Sequence, residues 1–211
     1  MNILAPSILS ADFTILGEEL RTIDEAGSEY IHIDVMDGIF VPSISYGMPV
    51  IKSIRKATKR VFDVHLMITE PERYINEFVE SGADIITFHV EATKEPEKVI
   101  DMIHDKGLKA GISVKPKTPL EAIEPYLEKM DMLLIMSVEP GFGGQSFIPE
   151  SLDKIKEARE ILPELDIEVD GGINADNINE VVKAGANVIV AGSAIFGHED
   201  VTAAIETLRK N

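Results

Sequence analysis

Two short apolar segments of the chain each carry a histidine and an aspartate two residues apart. His32 precedes Asp34 in one segment, and Asp63 precedes His65 in the other. Residues i and i+2 of a β-strand project from the same face, so each pair would present both side chains to one side of a sheet. Asp170 ends a third apolar segment, immediately before two glycines. Because burying a charge without a partner is costly, polar residues inside such segments indicate a site.

A cluster of His32, Asp34, His65 and Asp170 would contain two imidazoles and two carboxylates. Such a donor set suits Zn²⁺, Mn²⁺, Fe²⁺ or Co²⁺, and the chain has no cysteine that could serve instead. The alternative for any one strand histidine is a core imidazole bonded to a backbone carbonyl. That alternative is favoured for His89, at the end of another apolar segment. The spacing predicts a divalent-metal site on condition that the fold brings the four residues together.

Three glycine-rich segments supply a second chemical signal. Residues 140–145 are PGFGGQ, residues 171–172 are Gly-Gly and residues 191–194 are AGSA, and each segment follows an apolar one. Backbone amides that no Cβ obstructs can surround an anion, most readily where a helix begins. One such loop is most simply a tight turn, but three on neighbouring units favour a phosphate site built from backbone N–H groups.

Eight short apolar segments rich in β-branched residues must position these groups. They are residues 3–9, 30–35, 61–67, 84–90, 108–114, 132–138, 167–169 and 187–191. Their nearly continuous hydrophobicity is typical of parallel strands covered by helices. Segments with helical spacing lie between them. The glycines that stand where these helices are expected to end are Gly27, Gly82, Gly107 and Gly185.

Eight strand–helix units in 211 residues, about 26 residues each, predict a single α/β domain, a (β/α)8 TIM barrel over residues 1–211. An open doubly wound sheet is the rival. Its usual G-x-G-x-x-G is absent after the first strand, where the chain has Ala5-Pro6-Ser7. In TIM barrels the chemistry lies at the carboxyl ends of the strands, which is where the acids and the glycine loops are predicted to fall.

Composition narrows the class of partner. The chain has 20 Lys and Arg against 37 Asp and Glu, a net charge of −17, so it offers no basic face to nucleic acid or to an anionic membrane. No apolar run reaches the roughly 18–20 residues of a membrane helix, and the first residues do not resemble a secretion signal. We expect a cytoplasmic protein that acts on a small molecule. The basic cluster within residues 52–60 is most simply a solvated helix face and turn.

Six motifs occur in order along nearly the whole chain: PSILSADF at 6–13, HIDVMDG at 32–38, DVHLM at 63–67, PGFGGQ at 140–145, VDGG at 169–172 and AGSA at 191–194. Together they resemble the ribulose-phosphate 3-epimerase family. The resemblance implies a barrel of the ribulose-phosphate-binding type that interconverts D-ribulose 5-phosphate and D-xylulose 5-phosphate in the pentose phosphate pathway. It also implies one divalent metal ion per subunit (Zn²⁺, Fe²⁺, Mn²⁺ or Co²⁺) and a homo-oligomer, either a dimer or a hexamer.

The resemblance also implies roles for individual residues. The metal ligands would be His32, Asp34, His65 and Asp170. The residues in contact with the sugar phosphate would be Ser7, His65, Gly141, Phe142, Gly143, Gly144, Asp170, Gly171, Gly172, Gly192 and Ser193. The cap over the reaction intermediate would be formed by Met36, Met67 and Met136. Without the resemblance, methionines at strand ends are most simply flexible core filling.

Inversion at C3, beside a C2 carbonyl, requires removal of one proton and return of a proton to the opposite face of an enediolate. Two acid/base groups on opposite sides are therefore needed. Asp34 and Asp170 come from distant strands of the predicted barrel and can flank a planar intermediate, while a bound cation would stabilise the negative charge on its oxygens. We expect the two aspartates to exchange the roles of base and acid with the direction of turnover.

Other activities remain open. Ser43 stands where the family usually has asparagine, in the loop after the strand that carries Asp34, so a D-allulose-6-phosphate 3-epimerase that uses the same mechanism is an alternative. Decarboxylases and hexulose-phosphate synthases on similar barrels use a D-x-K-x-x-D signature, whereas residues 63–68 are DVHLMI. A non-catalytic sugar-phosphate-binding barrel is the third alternative, but phosphate capture alone requires none of the four predicted metal ligands.

Overall fold

The computed structural model describes residues 2–210, and in that range eight parallel strands alternate with helices. The strands are β1 (Ile3–Pro6), β2 (Tyr30–Met36), β3 (Val61–Met67), β4 (Ile85–His89), β5 (Lys109–Val114), β6 (Met132–Met136), β7 (Asp166–Asp170) and β8 (Val188–Ala191). Each strand from β2 to β8 pairs with the next, and β8 pairs with β1. A parallel bridge between Ser7 and His32 brings the sheet back on itself. The structure therefore confirms the predicted (β/α)8 barrel, and the alternative of an open doubly wound sheet is wrong.

The helices cover the outside of the barrel. They are α1 (Leu16–Glu25), α2 (Met48–Ile54), α3 (Ile75–Glu80), α4 (Pro96–His104), α5 (Ser151–Ile161), α6 (Ile178–Ala184), α7 (Ser193–Phe196) and α8 (Val201–Lys210). No helix in the described range is both long and apolar enough to cross a bilayer. The glycines expected at helix ends all have positive φ, at 89° for Gly27, 100° for Gly82, 75° for Gly107 and 126° for Gly185. Glycine adopts such angles without strain, which confirms their predicted positions.

The connection between β5 and β6 departs from the strand–helix repeat. It contains a 3₁₀-helix, Leu120–Tyr126, where the repeat predicts an α-helix. Pro125 lies inside this segment and has no backbone N–H to donate to the preceding turn. The chain therefore covers this side of the barrel with a tighter, shorter element.

Alternate residues of each strand project to opposite sides of the sheet, one toward the helices and the other into the barrel. Ile31 and Ile33 of β2 belong to the main apolar core, which packs between the sheet and the helices, and both are fully buried. His32 and Asp34 project from the opposite face of the same strand, into the barrel. The base of the interior is filled by a small apolar cluster of Ala5, Tyr30, Ile85, Met132, Val188 and Val190. The polar side chains of the interior lie above this cluster.

Two arginines of the basic cluster are only partly exposed and have specific partners, whereas the sequence led us to expect a solvated face. Arg55 lies over the Phe62 ring, 3.7 Å from its centroid, and donates hydrogen bonds to Asp84 and to backbone carbonyls. Arg60 pairs with Asp24 through a 2.6 Å contact between Nε and Oδ1. Arg55 thereby binds to the loop before β4 and Arg60 to α1, and the local sequence pattern does not indicate these distant contacts.

Candidate active site

The side chains predicted as metal ligands meet inside the barrel at the carboxyl ends of the strands. β2 carries His32 and Asp34, β3 carries His65 and β7 carries Asp170. One donor atom from each lies within 4.8 Å of all the others. Asp34 Oδ1 is 3.3 Å from His32 Nε2 and 3.1 Å from His65 Nδ1, and Asp170 Oδ2 is 4.0 Å from each of those nitrogens. The fold therefore brings all four residues to one centre.

Each imidazole turns one nitrogen toward this centre and holds the other against a second residue. His32 Nδ1 bonds to Asp63 Oδ2 at 2.7 Å, and its buried Nε2 makes no hydrogen bond to any described residue. His65 directs Nδ1 to the centre, and its Nε2 lies 2.9 Å from His89 Nε2. Outer partners of this kind orient metal-ligating histidines. The unpartnered nitrogen and the donor set of two imidazoles and two carboxylates fit a divalent ion.

The charged groups around the centre shift the pKa values of its side chains. Burial disfavours the charged imidazole of His32, yet the surrounding carboxylates, first that of Asp34, raise its pKa well above the usual range. Burial also opposes ionisation of Asp34, but the charge of His32 and the close contacts with both histidines together outweigh it and lower the pKa of Asp34. Burial, and then the charge of Asp34, raises the pKa of Asp170 to about 6. The centre favours a positive charge and gives its two carboxyl groups different affinities for a proton.

A second polar layer lies beside His32, and the sequence patterns did not assign a role to it. Glu168 of β7 is fully buried and places Oε1 3.3 Å from His32 Nδ1. Burial, and then the charge of Asp63, raises the pKa of Glu168 well above its usual range. The available signal was the spacing, because Glu168 and Asp170 stand two apart on one strand, as His32 and Asp34 do.

A cavity of about 60 Å³ opens from the centre toward solvent. Asp34 and Asp170 line it together with Ser7, whose Oγ donates a 2.6 Å hydrogen bond to Asp34 Oδ2. The methionines that the family resemblance implies as the cap line the same cavity and are all buried: Met36, Met67 and Met136. They face the interior of the barrel, on the side of each strand that carries the polar residues. The structure therefore places thioethers beside the carboxyl groups.

The three glycine loops form a further wall of this cavity. Residues 141–144 follow β6, Gly171 and Gly172 follow β7, and Gly192 and Ser193 follow β8. A Cβ on Gly172 would lie 2.3 Å from the Phe147 backbone nitrogen, so only glycine allows the loop after β7 to pack against the loop after β6. The loops that the sequence singled out thus meet at one place.

Two other residues complete the mouth of the cavity. Phe142 is 58% exposed within the loop after β6. Ser10, which the sequence patterns did not single out, lines the cavity, and its Oγ is 2.6 Å from the position that a Cβ on Gly192 would take. A hydroxyl group therefore lies against the loop after β8.

Comparisons with known proteins identify the family of this chain. Residues 3–196 match the model of the Ribulose-phosphate 3 epimerase family. The chain is 51% identical to ribulose-phosphate 3-epimerase of Synechocystis sp. over 99% of this chain and 94% of that protein. It is 47% identical to the Bacillus subtilis protein of the same name over 98% of this chain and 97% of that protein.

The chain belongs to the ribulose-phosphate 3-epimerase family. Like the relatives that give the family its name, it is an isomerase. Proteins outside this family have the same fold. The solved structure of 3-hexulose-6-phosphate synthase from Salmonella typhimurium matches this chain with a TM-score of 0.75 at 18% identity. The match covers 100% of this chain and 97% of that chain. That likeness concerns the barrel alone, whereas the relatives by sequence are named as epimerases.

Proposed function

We propose that this protein interconverts D-ribulose 5-phosphate and D-xylulose 5-phosphate by proton transfer at C3 between the substrate and Asp34 and Asp170. The observation that supports this most strongly is the position of the two carboxyl groups. They come from β2 and β7, share one centre with two histidines, and line a cavity that also contains three methionines. Membership in the epimerase family supports the class of reaction. One barrel domain would carry the whole activity.

The reaction needs one ionised carboxylate and one protonated carboxyl group at the same time. Asp34, with a lowered pKa, and Asp170, with a pKa raised to about 6, differ in the required sense. The ionised group removes the C3 proton, and the protonated group delivers a proton to the opposite face of the enediolate. Turnover exchanges the protonation states, so the product form of the enzyme is ready for the reverse reaction.

His32, Asp34, His65 and Asp170 would hold one divalent ion, and Zn²⁺, Fe²⁺, Mn²⁺ and Co²⁺ all accept this donor set. When bound, such an ion supplies Lewis-acid stabilisation of the negative charge on the substrate oxygens. The protein's own contribution is to hold the ligands. Asp63 bonds to Nδ1 of His32, which leaves Nε2 for the ion.

The substrate phosphate would bind to backbone amides of residues 141–144 and 192–193, with Gly171 and Gly172 beside them. Backbone N–H groups can hold an anion in a chain whose net charge is −17, and the residues that line the cavity in the described part of the chain include no lysine or arginine. Met36, Met67 and Met136 would cover the enediolate and exclude water without adding an exchangeable proton.

We further propose a cytoplasmic homo-oligomer, a dimer or a hexamer, without nucleic-acid or membrane partners. The family resemblance supports the oligomer, and the net charge of −17 disfavours binding to polyanions. Light scattering on the purified protein tests the subunit number. A monomer at micromolar concentration would count against this part of the proposal.

The activity is tested with metal-replete protein and two substrates in coupled assays. D-allulose 6-phosphate is the second substrate because Ser43, in the loop after β2, departs from the usual asparagine. We expect a higher kcat/KM for D-ribulose 5-phosphate. A higher value for the hexose phosphate would assign the protein to the alternative epimerase, and activity with neither would overturn the proposal.

A further inference from the structure

A chain of hydrogen-bonding groups runs from the buried His65 and His89 outward to the more exposed Glu91, on the side away from the substrate cavity. His65 Nε2 lies 2.9 Å from His89 Nε2, and the two ring centroids are 4.9 Å apart. His89 Nδ1 lies 3.3 Å from Glu91 Oε2. Glu91 Oε1 accepts a 2.9 Å hydrogen bond from the Lys115 amide and a 2.5 Å bond from the Thr118 hydroxyl group. His89 and Glu91 do not line the cavity, so contact with substrate does not explain them.

The direction of each hydrogen bond follows from the outer end of this chain. Glu91 already accepts two hydrogen bonds on Oε1, as an ionised carboxylate does, so Oε2 accepts from the N–H at Nδ1 of His89. The neutral His89 ring then has a lone pair on Nε2 and accepts from the N–H at Nε2 of His65. His65 therefore keeps its own lone pair on Nδ1, the nitrogen that lies 3.1 Å from Asp34 Oδ1, where a divalent ion would accept that lone pair in place of the contact with Asp34.

We propose that His89 and Glu91 are positioning residues that hold His65 in the tautomer with its proton on Nε2 and its lone pair directed at the metal centre. The inference rests on the proposed function in one respect, which is that the centre binds a divalent ion. It adds two residues that touch neither the ion nor the substrate. Carboxylate and histidine partners of this kind fix the ring orientation and raise the basicity of a ligating imidazole.

The surroundings of His89 and Glu91 keep this chain in place. Phe40 packs on His89 with centroids 4.9 Å apart, and the Lys115 ammonium group lies 3.9 Å from the Phe40 ring centroid. The Lys154 ammonium group donates hydrogen bonds to the carbonyl oxygens of residues 115, 116 and 118 at 3.1, 2.6 and 2.7 Å. Lys154 thereby fixes the loop after β5, whose amide and hydroxyl groups hold Glu91.

The test compares three variants in a metal-affinity measurement that needs no substrate. His89→Leu removes the acceptor for His65. His89→Gln restores one, because the amide oxygen can accept from His65 while its NH₂ group donates to Glu91. Ser113→Ala is the matched control, since Ser113 is fully buried, lies beside His89 in the strand register and has no part in the chain of hydrogen bonds. Affinities for Zn²⁺ and Co²⁺ are measured by competition with a chromophoric chelator.

We expect His89→Leu to bind both ions about 10- to 100-fold more weakly than the wild-type protein, and to shift the visible spectrum of the Co²⁺ form. His89→Gln and Ser113→Ala should bind them nearly as tightly as the wild type. Wild-type affinity in His89→Leu, or equal losses in the leucine and glutamine variants, would overturn the proposal. A wild-type protein that binds neither ion would overturn it as well, together with the metal site.

A second measurement does not depend on whether the leucine variant folds. Nitrogen-15 NMR of the wild-type protein loaded with Zn²⁺ reports which His65 nitrogen carries the proton, and a proton on Nδ1 would contradict the inference. Epimerase assays separate the two proposals. A protein that binds metal as expected but does not epimerise the sugar phosphate would count against the proposed function and leave the role of His89 and Glu91 intact.

Discussion

Ser7 Oγ donates a 2.6 Å hydrogen bond to Asp34 Oδ2, which leaves Asp34 Oδ1 facing both histidines of the centre. Ser7 directly follows β1, Asp34 lies on β2, and the two residues are 27 positions apart in the chain. Ser7 also forms the bridge to His32 at which the barrel closes. The same serine therefore takes part in barrel closure and in the orientation of a proposed catalytic carboxylate.

Replacing Ser7 tests that orientation. We expect Ser7→Ala to lower kcat/KM for D-ribulose 5-phosphate by about 10- to 100-fold, because a hydrogen bond to a charged group contributes about 1.5–3 kcal/mol. Steady-state kinetics on metal-replete protein measure the loss. Ser7→Thr, which keeps the hydroxyl group, is the matched control. Equal kcat/KM values in the wild-type and alanine proteins would show that Asp34 does not depend on Ser7.

Neutral replacements of the two aspartates test the proton transfers. Asp34→Asn and Asp170→Asn should each lower kcat by about 10²- to 10⁴-fold, since an amide can neither remove nor deliver the C3 proton. Far-UV circular dichroism shows whether the barrel is retained. Asp153→Asn is the control, because the Asp153 side chain is 87% exposed and, among residues 2–210, forms an ion pair only with exposed Lys156. Near-normal epimerisation by either active-site variant would contradict the mechanism.

Removal of metal tests the centre as a whole. Dialysis against a chelator should abolish epimerisation, and Zn²⁺, Mn²⁺, Fe²⁺ or Co²⁺ should restore it. The thermal unfolding midpoint should also rise when the ion is returned, because a ligand that binds only the folded state stabilises it. Elemental analysis accompanies each assay. Full activity in protein that contains no divalent transition metal would rule out the proposed role of the four ligands.

A methyl group at Gly192 tests the phosphate wall. The Cβ of Gly192→Ala would lie 2.6 Å from Ser10 Oγ and would narrow the cavity beside the loop after β8. We expect KM to rise about tenfold, equivalent to about 1.4 kcal/mol, with kcat changed less, and inhibition by inorganic phosphate to weaken in proportion. Gly17→Ala, at an open position on α1, is the control. An unchanged KM would place the phosphate elsewhere.

The barrel could be predicted because its elements depend on local patterns. Each of the eight apolar segments overlaps one of the strands, although β1 ends earlier than expected, at Pro6, and β7 extends one residue beyond its segment at each end. After Pro6 the chain turns into a 3₁₀-helix, with Ser7 as its N-cap. The period-2 spacing of His32 with Asp34, and the position of His65 on the next strand, directed attention to residues that the fold does bring together.

The partners of those residues could not be predicted in the same way. Glu168 and Asp63 contact His32 from two other strands, so their roles depend on the register of the barrel. His89, favoured as a core imidazole, is indeed buried, but it bonds to His65 and not to a backbone carbonyl. Arg55 looked like a solvated cation because its acceptors lie up to 29 positions away. A sequence pattern within one segment cannot indicate contacts with residues that are distant in the chain.

The central claim is that one carboxyl group removes the C3 proton and a different one delivers a proton to the opposite face. The most direct test runs the reaction in D₂O and follows C3 of both sugar phosphates by NMR from the first turnovers. We predict that D-xylulose 5-phosphate formed from D-ribulose 5-phosphate carries solvent deuterium at C3, because the delivering group exchanges its proton with solvent before it reacts. Product that retains the original C3 proton, or no exchange in metal-replete protein, would contradict the account.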